Sequence, residues 1–310
     1  MCLGIDINIL GLTFIVSDLS HSVIYSEFVD LISNTKNDIF SQLFEHTAAI
    51  FEKFGNIIYI NVSMQGQIDK SAGVSVSVKH FKDWHNEEIV KFFTEKFGVK
   101  TFLYHDPDCL MTYHFSVDFK ELTRYSTGAV LKLDEGIGMS LVLSGTIYET
   151  NNGVNSEIGH TCVNVDGAMC NCGKRGCLEA YFSMLGLTQR YNEKYCKDIT
   201  VADYASALDV GDKEAVSVLQ DNAVYLGIAV ANLSNVLDLQ FLIIDGWLSE
   251  YSDKYIEIFE KILYENTENK AEIRIAKYKR EAAALGANIR TVNDNLTDIL
   301  FANENGLKSN

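Results

Sequence analysis

One run constrains this chain more than any other. His160, Cys170, Cys172 and Cys177 fall within the segment EIGHTCVNVDGAMCNCGKRGCLEAYFS. Its centre reads C-x-C-G-x-x-G-C, with glycines where the backbone must turn between ligands. Structural zinc takes a closed tetrahedral shell of thiolate and imidazole. Four such donors leave no vacancy for water. The run therefore reads as a structural zinc site with His160, Cys170, Cys172 and Cys177 as ligands. Glu157 and Glu179 are interleaved with them, and a metal-ordered loop would hold both carboxylates rigidly against a ligand.

The other four of the seven cysteines, Cys2, Cys109, Cys162 and Cys196, read as small core residues. A disulfide reading of the cluster fails on parity, because three cysteines leave one over, and no secretory signal precedes them. Free thiols without a leader point to a reducing cytoplasm.

A length of 310 residues with 47% hydrophobic and 22% charged residues allows two domains with substantial cores. No apolar run is read as membrane-spanning. A net charge of −16 argues against nucleic-acid binding by this polypeptide itself, since phosphate backbones are held by clustered Lys and Arg. The one basic cluster, Lys277, Lys279 and Arg280, reads as a solvated helix face.

Strand-like and helix-like segments alternate along the chain. LGIDIN, LTFIVSD and VIYSEFV read as antiparallel strands. SQLFEHTAAIFEKFG reads as a helix stopped by Gly55, NIIYINVSM as a buried strand, and NEEIVKFFTEKFG as a helix stopped by Gly98. KTFLYHD is a strand expected to run into a loop. A second unit opens with GAVLKLD and MSLVLSGTIYE paired around EGIG. Helices follow over GCLEAYFSMLGLTQRYNEKY, TVADYASALDVG and NAVYLGIAVANLSNVLD. Strands over QFLIIDG and AEIRIAKY and a closing helix over REAAALGANIRTVNDNL complete it. The expected boundaries are 1–114 for an N-terminal α/β domain and 115–310 for a larger C-terminal one. The final helix, about 290–305, is expected to pack back on the first domain. Two similar halves suggest duplication, with a ligand cleft between them.

Asp106 stands at the end of the KTFLYHD strand, where an α/β strand delivers side chains to a ligand. It can act as general base or accept a sugar hydroxyl; it can equally start a turn ahead of Pro107.

The ordered series of motifs resembles the ROK family, which joins bacterial sugar kinases and sugar-responsive repressors. GIDI resembles its opening strand, YHDPDC its catalytic-aspartate stretch, and DEGIG its second phosphate loop. NNGVNSEIGH and CNCGKRGCLEAYFS resemble its sugar-binding and zinc signatures, and LIIDGWLS its nucleotide-side strand. The resemblance implies an actin-like, ribonuclease H-like ATPase fold. It places His105, Asp106, Asn152, Glu157, His160 and Glu179 around a sugar, with Asp106 facing the hydroxyl that a kinase would phosphorylate. It also implies a homodimer or tetramer.

Departures from the family pattern concentrate at the phosphate sites. Asp6, Ile7, Asn8, Ile9, Leu10 and Gly11 stand where a kinase has a glycine turn followed by threonine and lysine. Asp134 and Glu135 precede Gly136 and Gly138 in the second loop, where a triphosphate would lie. At about 4 Å and an effective dielectric of about 20, each like-charge contact costs roughly 4 kcal/mol. Trp247 either fills the adenine space or packs in the core. His105 replaces an asparagine beside the catalytic aspartate.

The expectation is therefore a sugar-binding regulatory core with a degraded ATP site, closing on its sugar and lacking the winged helix-turn-helix of the family's repressors. DNA would enter only through an N-terminal domain that was removed. The alternative is a hexose or amino-sugar kinase using Mg-ATP, with Asp106 as general base.

Overall fold

The computed structural model describes residues 1–149 and 156–295. Asn152 lies outside the described residues. Among the described residues, Met1–Lys120, Glu149 and residues 280–295 form one compact unit; Glu121–Tyr148 and Ser156–Lys279 form the other.

In the first unit, β1 (Cys2–Asn8), β2 (Gly11–Ser17) and β3 (Val23–Val29) make an antiparallel meander. Every residue of β2 is buried, which accounts for its largely apolar sequence. α1 (Lys36–Lys53) starts on Thr35, whose hydroxyl accepts the Asp38 amide. It leads to β4 (Tyr59–Met64), parallel to β1. β5 (Gln67–Asp69), β6 (Val74–Ser77) and β7 (His85–Glu87) form a small sheet of their own. α2 (Ile89–Phe97) ends on Gly98, whose φ of 66° is the left-handed cap that glycine adopts without strain. β8 (Lys100–His105) then lies parallel to β4 and completes the order β3-β2-β1-β4-β8.

At this point the expectation of a loop fails. β8 runs directly into α3 (Asp106–Ser116). Pro107 occupies the first turn, where a missing N–H removes no helical hydrogen bond. The proline that reads as a turn signal starts a helix.

The second unit repeats the plan. β9 (Gly128–Leu133), β10 (Ile137–Leu143) and β11 (Thr146–Ile147) form the meander. The segment read as one helix from Gly176 is two, α4 (Glu179–Phe182) and α5 (Met184–Tyr195). Ser183 breaks it: its backbone is extended, and its Oγ accepts the Gly186 amide at 2.9 Å. α6 (Val201–Asp209) and α7 (Lys213–Leu237) follow, and β12 (Phe241–Asp245) lies parallel to β9. α8 (Ser252–Asn266), which the sequence reading passed over, buries Tyr255, Phe259 and Leu263 at four-residue spacing. β13 (Glu272–Ile275) pairs parallel with β12, giving β11-β10-β9-β12-β13.

α7 corrects a further expectation, because by length and composition it is apolar enough to cross a membrane. Half of its most apolar stretch is buried within the unit, as in a core helix. Two cysteine assignments also change. Cys2 and Cys109 are buried, whereas Cys162 and Cys196 are exposed. Cys196 caps α5 in the left-handed conformation, and Cys162 lies on the loop that carries the metal-type donors. Lys277, Lys279 and Arg280 lie between β13 and the last helix, not on a helix face. Arg280 stacks 4.1 Å from the Phe28 ring.

α9 (Ala282–Asp294) packs on the first unit's large sheet and on α3. The approach is so close that a Cβ on Gly4 would stand 2.1 Å from the Ala284 oxygen, and one on Gly286 2.0 Å from the Cys109 oxygen. Asn288 is fully buried there. It accepts from Asn61 at 2.8 Å and donates to Ser17 Oγ at 2.9 Å.

Candidate functional site

In the second unit, the donor atoms of His160, Cys170, Cys172 and Cys177 all lie within 4.8 Å of one another. His160 Nδ1 is 3.8 Å from Cys170 Sγ, and the sulfurs of Cys172 and Cys177 are 3.6 Å apart. Zinc–sulfur bonds of about 2.3 Å in a tetrahedron put sulfurs roughly 3.8 Å apart, so the donor set fits such an ion. Burial first, and then Cys172, pushes the Cys177 thiol up to about 12. A bound cation would reverse that preference, because metal ligands are thiolates. Gly173 and Gly176 sit at φ of 84° and 75°, and a Cβ on Gly176 would stand 1.8 Å from the Asn164 oxygen. The glycines of the motif are required by these turns.

The interleaved carboxylates flank the donors. His160 turns Nε2 toward Glu157, 3.9 Å from its carboxylate, while Nδ1 faces Cys170. Glu179 Oε1 is 4.0 Å from Cys170 Sγ, and its Oε2 accepts the Ile137 amide. Glu179 thereby joins the donor loop to the 134–138 turn. A Cβ on Gly136 would stand 2.9 Å from Glu179 Oε2.

Asp134 is committed within that turn. Its carboxylate pairs with Lys132 at 3.2 Å and accepts the Trp247 amide. Its carbonyl oxygen accepts the Met184 amide at 2.9 Å. Glu135 is half-buried, and its Oε2 has no hydrogen-bond partner among the described residues. Burial first, and Asp134 second, raise its carboxyl to about 7 against the opposing pull of Lys132. The Trp247 side chain is partly buried against the unit's core.

In the first unit, register places Asp6 beside Ser63 and Ser63 beside Tyr104. The carboxyl ends of three parallel neighbours thus converge, the usual ligand side of such a sheet. Asp6 is buried and accepts from Ser63 Oγ at 2.7 Å and Asn8 Nδ2 at 2.6 Å. Asn8 Oδ1 accepts the Leu10 amide at 2.9 Å, closing a hairpin with Ile9 and Leu10 at its tip. His105 ends β8 and Asp106 follows it directly, Asp106 buried, with His105 Nε2 3.8 Å from its carboxylate.

Sequence reasoning missed a charged cluster in this unit. Buried Arg290 of α9 contacts Glu149 and lies 3.9 Å from Asp108, and Lys70 donates to Glu149 at 2.7 Å. Burial alone would raise the Glu149 carboxyl. The Lys70 hydrogen bond and the Arg290 charge overcome it and hold it below the usual range. Only an arginine following the apolar start of α9 hinted at this, since its partner is 141 positions away.

Two repeated α/β sheets plus a His–Cys₃ loop define an actin-like ATPase fold elaborated with a metal-type motif. The ROK family pattern matches residues 2–291, and the chain belongs to the ROK family. It is 24% identical over 293 residues to the xylose repressor of Bacillus spizizenii, covering 92% of this chain and 75% of that one. It is 34% identical over 176 residues to the glucokinase of Halalkalibacterium halodurans, covering 51% of this chain and 53% of that one. A ROK family glucokinase from Streptomyces griseus, solved with glucose and AMPPNP, superposes with a TM-score of 0.79 at 19% identity. That superposition covers 93% of this chain and 97% of the other. The family thus contributes both repressor and kinase relatives.

Proposed function

We propose that this chain is a sugar-binding regulatory protein of the ROK family whose phosphate-binding loops no longer accept ATP. The observation that carries the reading is the 134–138 turn. Asp134 is locked by Lys132 and the Trp247 amide, and Glu135 adds a second acid where a kinase presents glycine and threonine. A triphosphate laid on this turn meets two carboxyl groups, and one unrelieved like-charge contact weakens binding by on the order of a thousandfold. The first loop supports the same conclusion. Its Leu10 amide is already taken by Asn8, and Ile9 and Leu10 occupy the tip.

The sugar contacts in this reading are His105, Asp106, Asn152, Glu157, His160 and Glu179. Ionised acceptors suit a hexose, because hydrogen bonds to charged groups contribute roughly 1.5–3 kcal/mol each. The metal is structural zinc on His160, Cys170, Cys172 and Cys177, and it fixes the backbone that carries Glu157 and Glu179.

The kinase alternative draws on Asp106, a buried carboxylate at the carboxyl end of β8, and on the glucokinase relative. Mg-ATP would then supply the phosphoryl group and Asp106 would take the acceptor proton. Titration calorimetry with Mg-ATP, and with a panel of hexoses and amino sugars, separates the readings. The regulatory reading expects sugar binding, with nucleotide affinity weaker than millimolar and no ADP release. Micromolar affinity for Mg-ATP, with sugar-dependent ADP release abolished in Asp106→Asn, would establish the kinase instead.

A further inference from the structure

Cys162 stands directly across from a metal-type donor. It forms an antiparallel bridge with Cys177. The hydrogen bonds flanking that bridge run from Val163 N to Gly176 O, at 2.8 Å, and from Leu178 N to Thr161 O, at 3.0 Å. Both lie one residue outside the pair, so Cys162 and Cys177 occupy the narrow, non-hydrogen-bonded register. Facing Cα atoms there stand about 4.5 Å apart, and their side chains are at their closest. That separation lies within the roughly 4.4–6.8 Å a disulfide spans. Gly176 adds a second constraint on the thiol, since a Cβ there would stand 3.2 Å from Cys162 Sγ.

The two sulfurs differ in access. Cys162 is exposed, whereas Cys177 is 1% exposed and its sulfur lies among the four donors. His160, Cys170, Cys172 and Cys177 complete a tetrahedral shell without Cys162. An accessible thiol outside a closed shell, in disulfide register with one of its ligands, has a chemistry that the shell alone lacks.

We propose that Cys162 and Cys177 are a redox-modification site: a peroxide oxidises them to a disulfide and the metal is expelled. The Cys162 thiolate attacks one peroxide oxygen, the O–O bond breaks, and Cys162 becomes a sulfenic acid; the departing hydroxide takes up the proton that the Cys162 thiol gave up, and the first water results. The Cys177 thiolate, which would be one of the ligands of a bound ion, then attacks the Cys162 sulfur. The S–S bond forms and the S–O bond breaks. The departing hydroxide takes a proton to give the second water. Two electrons pass from the two sulfurs to the peroxide, which is the only oxidant required. His160, Cys170 and Cys172 would remain as a three-donor set, which would hold a bound ion less tightly than the four donors do. Metal release rests on the metal reading above; the disulfide does not.

The test treats the zinc-loaded full chain with hydrogen peroxide and follows released zinc with a chromogenic chelator. Cleavage after Lys174 and Arg175 and ahead of Asp166 puts Cys162, the Cys170–Cys172 pair and Cys177 on three separate peptides. The expected result is a peptide joining Cys162 to Cys177, about one zinc released per disulfide formed, and reversal of both by a thiol reductant. Cys162→Ser removes no donor; it should keep its zinc and the wild-type urea midpoint, lose the linked peptide, and release zinc about tenfold more slowly. A Cys172–Cys177 peptide in place of the expected one overturns the proposal. So does release from Cys162→Ser at the wild-type rate. If the chain binds no metal yet yields the Cys162–Cys177 peptide, the disulfide is upheld and the metal reading is the part that fails.

Discussion

Glu179 accepts the backbone amide of Ile137 at 3.2 Å, and this one bond joins the donor loop to the turn that opens β10. Its other oxygen is 4.0 Å from Cys170 Sγ. Whatever orders the donors therefore also orders the 134–138 turn.

Removing the metal should consequently loosen more than its own loop. The purified chain is expected to carry one zinc, measured by plasma mass spectrometry. Chelation is expected to lower Tm by roughly 5–10 °C. Hydrogen exchange at the Ile137 amide should rise in the stripped protein, because Glu179 loses the backbone that holds it. Protection at Ile137 unchanged after zinc removal would show that Glu179 is positioned by packing alone.

Glu135 makes a prediction in pH. Its carboxyl lies at about 7 in the folded chain, above its ordinary 4.5, mainly through burial. The folded state therefore binds the extra proton between those two values, and stability falls as pH rises through them. The penalty is absent below about pH 4.5 and complete above about pH 7, where it reaches about 2–3 kcal/mol. Glu135→Gln should be more stable than wild type by about that amount at pH 8, and equal to it near pH 4.5, in urea denaturation. A difference between the two proteins that does not change with pH would place the Glu135 carboxyl in water.

Asp106 tests the sugar contacts separately from any catalysis. Asp106→Asn keeps the shape and removes the charge, so it exchanges a charged hydrogen bond for a neutral one. The expected loss in affinity for the bound sugar is about tenfold by calorimetry, with Tm of the free protein changed by no more than about 2 °C. Wild-type sugar affinity in Asp106→Asn would remove this residue from the site.

The readable parts of the sequence were those fixed by local chemistry. The spacing of Cys170, Cys172 and Cys177 and the glycine turns between them are set within a few residues, and the structure gathers those donors with His160. The meanders opening both units follow from short apolar runs separated by tight turns. Features decided by tertiary context were not legible. Pro107 suits a turn and a helix start equally, and only α9 packed against α3 distinguishes them. Ser183 is a weak local signal until the Gly186 amide is seen on its hydroxyl. Cys162 reads as a small apolar residue, yet it is exposed on the donor loop, bridged to the buried Cys177. The Arg290–Glu149 pair depends on a contact between distant segments that no periodicity encodes.

Asn288 carries the last prediction. α9 meets the first unit's sheet through a buried polar network: Asn288 with Asn61 and Ser17, and Thr291 with Asn61 at 2.6 Å and Tyr104 at 2.8 Å. Such groups are costly when left unpaired in an apolar interior. Asn288→Ala strands both Asn61 Nδ2 and Ser17 Oγ, so it should cost about 2–3 kcal/mol and lower Tm by roughly 3–6 °C. Ser17→Ala removes only one end of one bond and should cost less. Because the two side chains share that bond, their double mutant should be less destabilised than the sum, with a coupling of about 1 kcal/mol. Strict additivity would mean that Asn288 holds α9 through the cavity it fills and not through its hydrogen bonds.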